Sequence, residues 1–342
     1  MTCLIHRQAI ALFLSALLAT FLMAACSNVG QNQAPSDGPS DVEAGRRITH
    51  AMGETLVPEN PQRVVMLGPV ADVLAMGVEP VGATTAGFAS RDGAGELVSF
   101  IGNQADDIAV IGHVTRPSLE AITQLEPDLI LGATMAKGIG RVYSQLSQIA
   151  PTVVIDTSAG ADRWRQYVLA AAEALNRLDA AEALLDDYDQ RIATFQQAMG
   201  DRLTTTEVSV VRFRPDVFRA YMKGSFLGAV LEDVGLPRPA SQAKNEPYEN
   251  LSLEQIDAID GDALFVMQDS TTNSTFTHVK QNPLWSQLDV VQDGAVYEVS
   301  LDAWFLSSGI VGANLILNDL FEHLVPEGDR DQVEQVGALI LQ

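Results

Sequence analysis

The stretch Asp179–Met199, DAAEALLDDYDQRIATFQQAM, decides the architecture. Its apolar residues Ala181, Leu184, Leu185, Tyr188, Ile192, Phe195 and Met199 fall at i, i+3, i+4, i+7, i+11, i+14 and i+18, one face of a 3.6-residue period. A helix of about 20 residues is predicted, roughly 30 Å long, the width of a small domain. Gly200 stops it. On either side, short apolar strands alternate with helices. Upstream, Arg63–Leu67 (RVVML), Pro80–Ala83, Ala109–Gly112, Pro127–Gly132 and Thr152–Ile155 read as strands, and Ala71–Met76 and Ala161–Leu178 as helices. Downstream, Glu207–Phe213, Val217–Met222, Ala263–Met267 and Ala295–Val299 read as strands, and Phe226–Val234 and Val311–Leu324 as helices. Such alternation predicts an α/β class with mostly parallel sheets. The order is lobe, rod, lobe.

Composition agrees. The 342 residues suggest two domains at about 150 residues each. Apolar residues make up 47%, enough for two cores, which excludes a disordered chain or a small disulfide scaffold. Lys and Arg number 21 against 44 Asp and Glu, a formal charge of −23, and no basic stripe relieves it; nucleic acid would be repelled. The cysteines are Cys3 and Cys26. The body therefore has no disulfide, no Cys-ligated zinc, no iron–sulfur cluster and no thiol nucleophile.

The N-terminus reads as an address. Arg7 precedes a run, Ala9–Ala25, that is apolar apart from Ser15 and Thr20 and ends in Ala24-Ala25 before Cys26. Residues 1–25 thus have the form of an export signal. Met23-Ala24-Ala25-Cys26 resembles a bacterial lipobox, with Met where Leu is commoner. That resemblance implies a Cys26 diacylated on sulfur and a protein held by lipid on the periplasmic or extracellular face of the envelope. An ordinary signal peptide or an uncleaved anchor are the alternatives. Ser27–Asp41 (SNVGQNQAPSDGPSD) is polar and aperiodic, so residues 26–47 read as a flexible tether. Cleavage leaves 20 basic against 44 acidic residues. No later segment reaches the ~18 apolar residues of a membrane span. The remaining boundaries are an N-terminal lobe at 48–178, the linking helix at 179–200 and a C-terminal lobe at 201–342.

Two segments echo each other. Pro117–Leu131 reads PSLEAITQLEPDLIL and Leu251–Phe265 reads LSLEQIDAIDGDALF, aligning Ser118 with Ser252, Glu120 with Glu254 and Asp128 with Asp262. Each predicts a Ser-capped short helix followed by a strand. A first-turn Glu is also favoured by the helix dipole alone.

Residues of about 48 to 325 resemble the iron-siderophore/vitamin B12 class of periplasmic binding proteins that serve ABC importers. The carriers are Pro58–Val65 (PENPQRVV), Asp72–Gly82, Ile111-Gly112, Pro117–Glu120, Glu126–Ile130, Ile149–Thr152, Ser209–Pro215, Gly235–Pro239, and Trp304 with the helix through Asn318-Asp319-Leu320. Single pieces are weak; their order over so long a stretch is specific. The resemblance implies two Rossmann-like lobes joined by one rigid helix, a ligand in the cleft between them, and Glu120 and Glu254 as the docking carboxylates for Arg residues of the permease. It also implies a monomeric binder rather than an enzyme.

A ferric siderophore brings iron already saturated by chelator oxygens, so the protein needs no metal ligands and no cofactor of its own. It needs cationic donors and aromatic walls. Arg212 and Arg214 are two apart and share a face of a strand; the resemblance places ligand-binding Arg there. Arg219 and Tyr221 share a face of the next strand. Trp304 matches the family's cleft Trp, with Phe305 beside it expected to pack in the core. Met135, Lys137 and Arg141 follow the Leu129–Gly132 strand, and Arg116 follows Ile111-Gly112, where α/β sheets receive ligands.

Other readings fare worse. A zinc or manganese site wants clustered His and carboxylates, and His50, His113, His278 and His323 are dispersed. Lys223-Gly224-Ser225-Phe226 lacks the second Gly of a hydrolase elbow, and Gly138-Ile139-Gly140 does not complete a dinucleotide motif. Cobalamin or haem on the same fold stays open. Paired Arg favour an anionic chelate over near-neutral cobalamin; haem carboxylates would also suit them, though no Tyr or His stands out as an axial ligand.

Overall fold

The structure is a computed structural model that describes residues 45–68, 70–85, 101, 104, 106–134, 138–214, 217–269 and 274–326. Cys26, Met135 and Lys137 lie outside the described residues, as do the export signal and most of the tether.

The described residues open with an antiparallel hairpin, β1 (Gly45–His50) and β2 (Gly53–Pro58). β1 thus begins inside the segment expected to be tether. A six-stranded sheet follows, built from β3 (Val64–Leu67), β4 (Gly82–Thr85), β5 (Ala109–His113), β6 (Arg116–Pro117), β7 (Leu129–Ala133) and β8 (Thr152–Ile155) in the order β6-β5-β4-β3-β7-β8. All its pairs are parallel except β5 with β6. β3 is buried along its whole length, as expected of a central parallel strand covered on both faces. Helices α1 (Ala71–Ala75), α2 (Leu119–Gln124), α3 (Ile139–Ile149) and α4 (Trp164–Leu175) connect the strands and close the lobe.

The long helix α5 runs Leu178–Met199, within a residue of its expected limits. Beyond it lies a five-stranded sheet of β9 (Val208–Phe213), β10 (Phe218–Tyr221), β11 (Tyr248–Leu251), β12 (Ala263–Gln268) and β13 (Val296–Glu298), ordered β11-β10-β9-β12-β13. Here the expectation of mostly parallel pairing fails. β12 is parallel to β9 and β13, but β9, β10 and β11 pair antiparallel. The few residues between β9 and β10 cannot make a parallel crossover, which needs about a dozen or more. Helices α6 (Phe226–Val234), α7 (Ser274–Lys280), α8 (Asp289–Gln292) and α9 (Ile310–Leu324) complete this half.

The internal echo has a structural meaning. Ser118 Oγ accepts from the Ala121 N–H at 3.2 Å and starts α2. Ser252 opens a capping box with Gln255, whose side chain takes the Ser252 N–H at 3.2 Å, at the head of a kinked 3₁₀ turn, Leu253–Ile259. The aligned aspartates do one job: Asp128 accepts from the N–H groups of Gln62 (2.7 Å) and Arg63 (2.9 Å), and Asp262 from that of Glu207 (2.7 Å). Each carboxylate ties the foot of one strand, β7 or β12, to the chain entering its parallel neighbour, β3 or β9.

One apolar cluster runs through both halves, from Val64 and Leu131 through Trp164, Tyr188 and Phe195 to Val208, Phe265 and Leu320. Trp164 meets Tyr188 of α5 and Phe226 of α6 edge-on at 5.6 and 5.9 Å, and Phe195 meets Phe321 of α9 at 5.1 Å. Arg191 is buried on the inner face of α5, where its guanidinium donates to the side chains of Asn314 and Asn318 of α9. Burial holds its pKa below the ordinary value. A further bolt joins the first half to the second. α9 has no side-chain cap of its own; Asp72 of α1 supplies one, taking the Val311 N–H at 3.0 Å. A β-carbon at Gly309 would collide with Asp72 Oδ2, so the carboxylate seats only because this residue is glycine.

Candidate functional site

Strand order reverses in the second sheet at β9, with β10 on one side and β12 on the other. Open α/β sheets receive ligands beyond the carboxyl ends of strands at such a point. The expected arginines stand there. Cross-strand register puts Arg212 of β9 opposite Arg219 of β10, Arg219 opposite Asn250 of β11, and Tyr221 opposite Tyr248. Partners in register share a face, so these side chains form one patch.

Its geometry is specific. Arg212 is only 1% exposed; its guanidinium lies over the Phe305 ring, 4.2 Å from Cζ to centroid. Its Nε donates to Asp269 Oδ1 at 2.5 Å. Arg214, just past β9 and 35% exposed, reaches the other oxygen of the same carboxylate at 3.5 Å. Arg219 donates to Asn250 Oδ1 at 3.0 Å and stacks over Tyr248 at 3.7 Å. Tyr221 sits among these groups, its ring 5.8 Å from Phe305 and 6.4 Å from Tyr248. Burial raises the pKa of its hydroxyl, and the neighbouring Arg212 and Arg219 partly offset that. Behind it, Arg238 donates to the Tyr221 carbonyl and to Gln242 Oε1, both at 2.5 Å; burial lowers its pKa to about 10.

Trp304 departs from its expected place. It does not line this patch but is 0% exposed, stacked on Phe265 at 4.9 Å with its indole N–H on Asp319 at 2.5 Å. Phe305 packs against the core cluster as expected, and its ring also lies beneath Arg212. Both residues lie on a single π-helical turn, Asp302–Leu306. Tyr248, Asn250 and Asp269 are absent from the sequence reading. The i, i+2 spacing of Tyr248 and Asn250 signals a shared face, but only the register assigns it to Arg219. Asp269 joins the patch through the pairing of Gln268 with Phe213, which no local motif reports.

On the first sheet, Arg116 is exposed on β6 and Arg141 is exposed in the first turn of α3. Their loops touch: a β-carbon on Gly138 would stand 3.2 Å from the Thr115 carbonyl. The structure brings neither into contact with the arginines of β9 and β10. Glu120 and Glu254 are exposed in the first turns of the two echo segments. The Glu254 carboxyl is held below its ordinary pKa by the Ser252 hydroxyl. A groove of about 670 Å³ lined by Phe218, Leu251, Leu253 and Val279 contains none of the arginines. Among the described residues no group of three or more His, Cys, Asp or Glu is placed to hold a metal ion, and no helix is long and apolar enough to cross a membrane.

The sequence model of the family described as periplasmic binding protein matches residues 65–302. The chain belongs to this family. The "Probable siderophore-binding lipoprotein YfiY" of Bacillus subtilis is 31% identical over 322 residues, covering 89% of this chain and 96% of the relative. The achromobactin-binding periplasmic protein of Dickeya dadantii is 31% identical over 274 residues, covering 76% and 85%. Among solved structures, Staphylococcus aureus SirA complexed with staphyloferrin B superposes with a TM-score of 0.70 at 30% identity, covering 82% of this chain and 98% of that one. The first two relatives are named as binding proteins, one a lipoprotein and the other periplasmic.

Proposed function

We propose that this binding protein captures a ferric siderophore at the arginine–tyrosine patch and delivers it to an ABC importer. The observation that carries the reading is the patch itself: Arg212, Arg214 and Arg219 gathered with Tyr221, Tyr248 and Phe305 at the switch point of the second sheet. Arg214 and Arg219 donate to chelator oxygens above the enclosed Arg212, and the rings wall the rest, while iron arrives with its coordination already filled. Arg116 and Arg141, at the carboxyl edge of the first sheet, are further cationic donors in this reading. Relatives that bind achromobactin and staphyloferrin B support the cargo class.

The protein works as a monomer tethered through a lipidated Cys26, with no cofactor of its own and no reaction to catalyse. Glu120 and Glu254, one on each half, meet the permease; separate charged contacts give register and on-rate more than affinity. Fluorescence-quenching titrations against ferric citrate, ferric hydroxamates, ferric catecholates, haem and cobalamin test the cargo. One ferric chelate is expected to saturate at one per chain. Charge-assisted hydrogen bonds contribute about 1.5–3 kcal/mol each, so Arg214→Ala with Arg219→Ala should weaken that chelate roughly a hundredfold or more. Unchanged affinity in the double variant, or saturation by cobalamin alone, would overturn the reading.

A further inference from the structure

The patch holds an acid among its bases. Asp269 follows β12 directly, and its N–H donates to the Phe213 carbonyl at 3.2 Å, so the sheet itself sets its position. Its two oxygens serve Arg212 of β9 and Arg214 just past it: Oδ1 lies 2.5 Å from Arg212 Nε and Oδ2 lies 3.5 Å from Arg214 Nε. The two contacts are unequal in burial. Arg212 is 1% exposed and Arg214 is 35% exposed. A guanidinium as enclosed as Arg212 requires a counter-charge, because an uncompensated buried charge is strongly destabilising. Arg219, by contrast, rests on the neutral oxygen of Asn250 and the face of Tyr248.

We propose that Asp269 is a specificity-determining residue that sets how much positive charge the patch offers its cargo. The proposal rests on the binding reading above. The carboxylate answers Arg212, which becomes a positioning residue holding Phe305 and the end of β9. Arg214 and Arg219 are left to meet the ligand. Three guanidiniums and one carboxylate give a surplus of two positive charges, and chelates are sorted by their own negative charge against that surplus. A unit charge some 8–10 Å from the chelate, in a medium of effective dielectric about 20, changes affinity roughly twentyfold per ligand charge.

The test uses the full chain, with ferric citrate and a ferric tris-catecholate as probes, each titrated by fluorescence quenching at low and high ionic strength. In Asp269→Asn, affinity for the chelate that the wild type binds should rise about twentyfold or more at low ionic strength. Salt should erode the gain, and preference should move toward the more anionic chelate. Asp269→Glu should restore wild-type behaviour. The double variant Arg212→Gln with Asp269→Asn returns the surplus to two and should lose the gain and the added salt sensitivity of the single variant. It also keeps the proposal testable if the single variant folds poorly, which thermal melting reports. Weaker binding of both chelates in a folded Asp269→Asn protein, or a salt response equal to that of the wild type, would overturn the proposal while leaving the binding reading intact. A wild type that binds no ferric chelate removes the reading and the proposal together.

Discussion

Replacing Asp72 with asparagine should stabilise the protein near neutral pH and flatten its acid profile. Enclosure between α1 and the head of α9 raises the carboxyl pKa from 3.8 to about 6, despite the N–H groups of Val311 and Ile310 that pull it down. Below about pH 4 the folded and unfolded chains both carry this proton. Between about pH 4 and pH 6 the unfolded chain has released it and the folded chain has not, so stability falls as pH rises through that window. Above about pH 6 the loss is complete. A shift of about two units at ~1.4 kcal/mol each amounts to about 3 kcal/mol. The amide of Asp72→Asn would keep an oxygen for the Val311 N–H without the charge and so avoid the loss. Urea denaturation followed by tryptophan fluorescence, at intervals from about pH 4 to about pH 7, measures it. The variant should gain on the wild type steadily up to about pH 6, reaching a few kcal/mol. A difference that stays flat across the window would refute the enclosure of this carboxyl. Gly309→Ala, which drives a β-carbon into Asp72 Oδ2, should destabilise at every pH instead.

Trp304→Phe should cost about 1–3 kcal/mol by stranding Asp319 without its indole donor, and should leave ligand affinity unchanged; a large loss of affinity with an unchanged melting temperature would return Trp304 to the site. Glu120→Ala with Glu254→Ala should leave ligand affinity intact and cut uptake by cells at least tenfold, and normal uptake would remove the docking role. Cys26→Ala should shift the protein from the membrane fraction to the soluble envelope or medium, as fractionation and immunoblotting would read; retention in the membrane would remove the lipid anchor.

How much of the fold is legible follows from where the information sits. Thr152–Ile155 and Phe226–Val234 are placed to the residue because a β-branched run and a Ser225…Gly235 bracket are local signals. The long helix is legible for the same reason, its period being written within it. The β1–β2 hairpin escapes because GRRITH is charged and its turn, Ala51-Met52, is not one of the usual Asn-Gly or Asp-Gly pairs. Helix α3 escapes because Gly138 and Gly140 open it, although the first serves there as an N-cap with φ of 132°. In the site, the i, i+2 arginines are legible from one strand alone. Which of Trp304 and Phe305 faces inward is not, since a single π-helical turn has no repeating period. Asp269 lies 57 residues from Arg212 and enters only through strand pairing.

The bolt between Asp72 and Val311 spans 239 residues. Asp128 and Asp262, by contrast, close their loops within their own halves, so each half can organise locally as it emerges. The union of the halves waits for α9, the last described helix. During synthesis the chain therefore lengthens without its final clasp. A chain that emerges from its N-terminus first gains from a design in which the step that commits it to its native form depends on its latest-arriving segment.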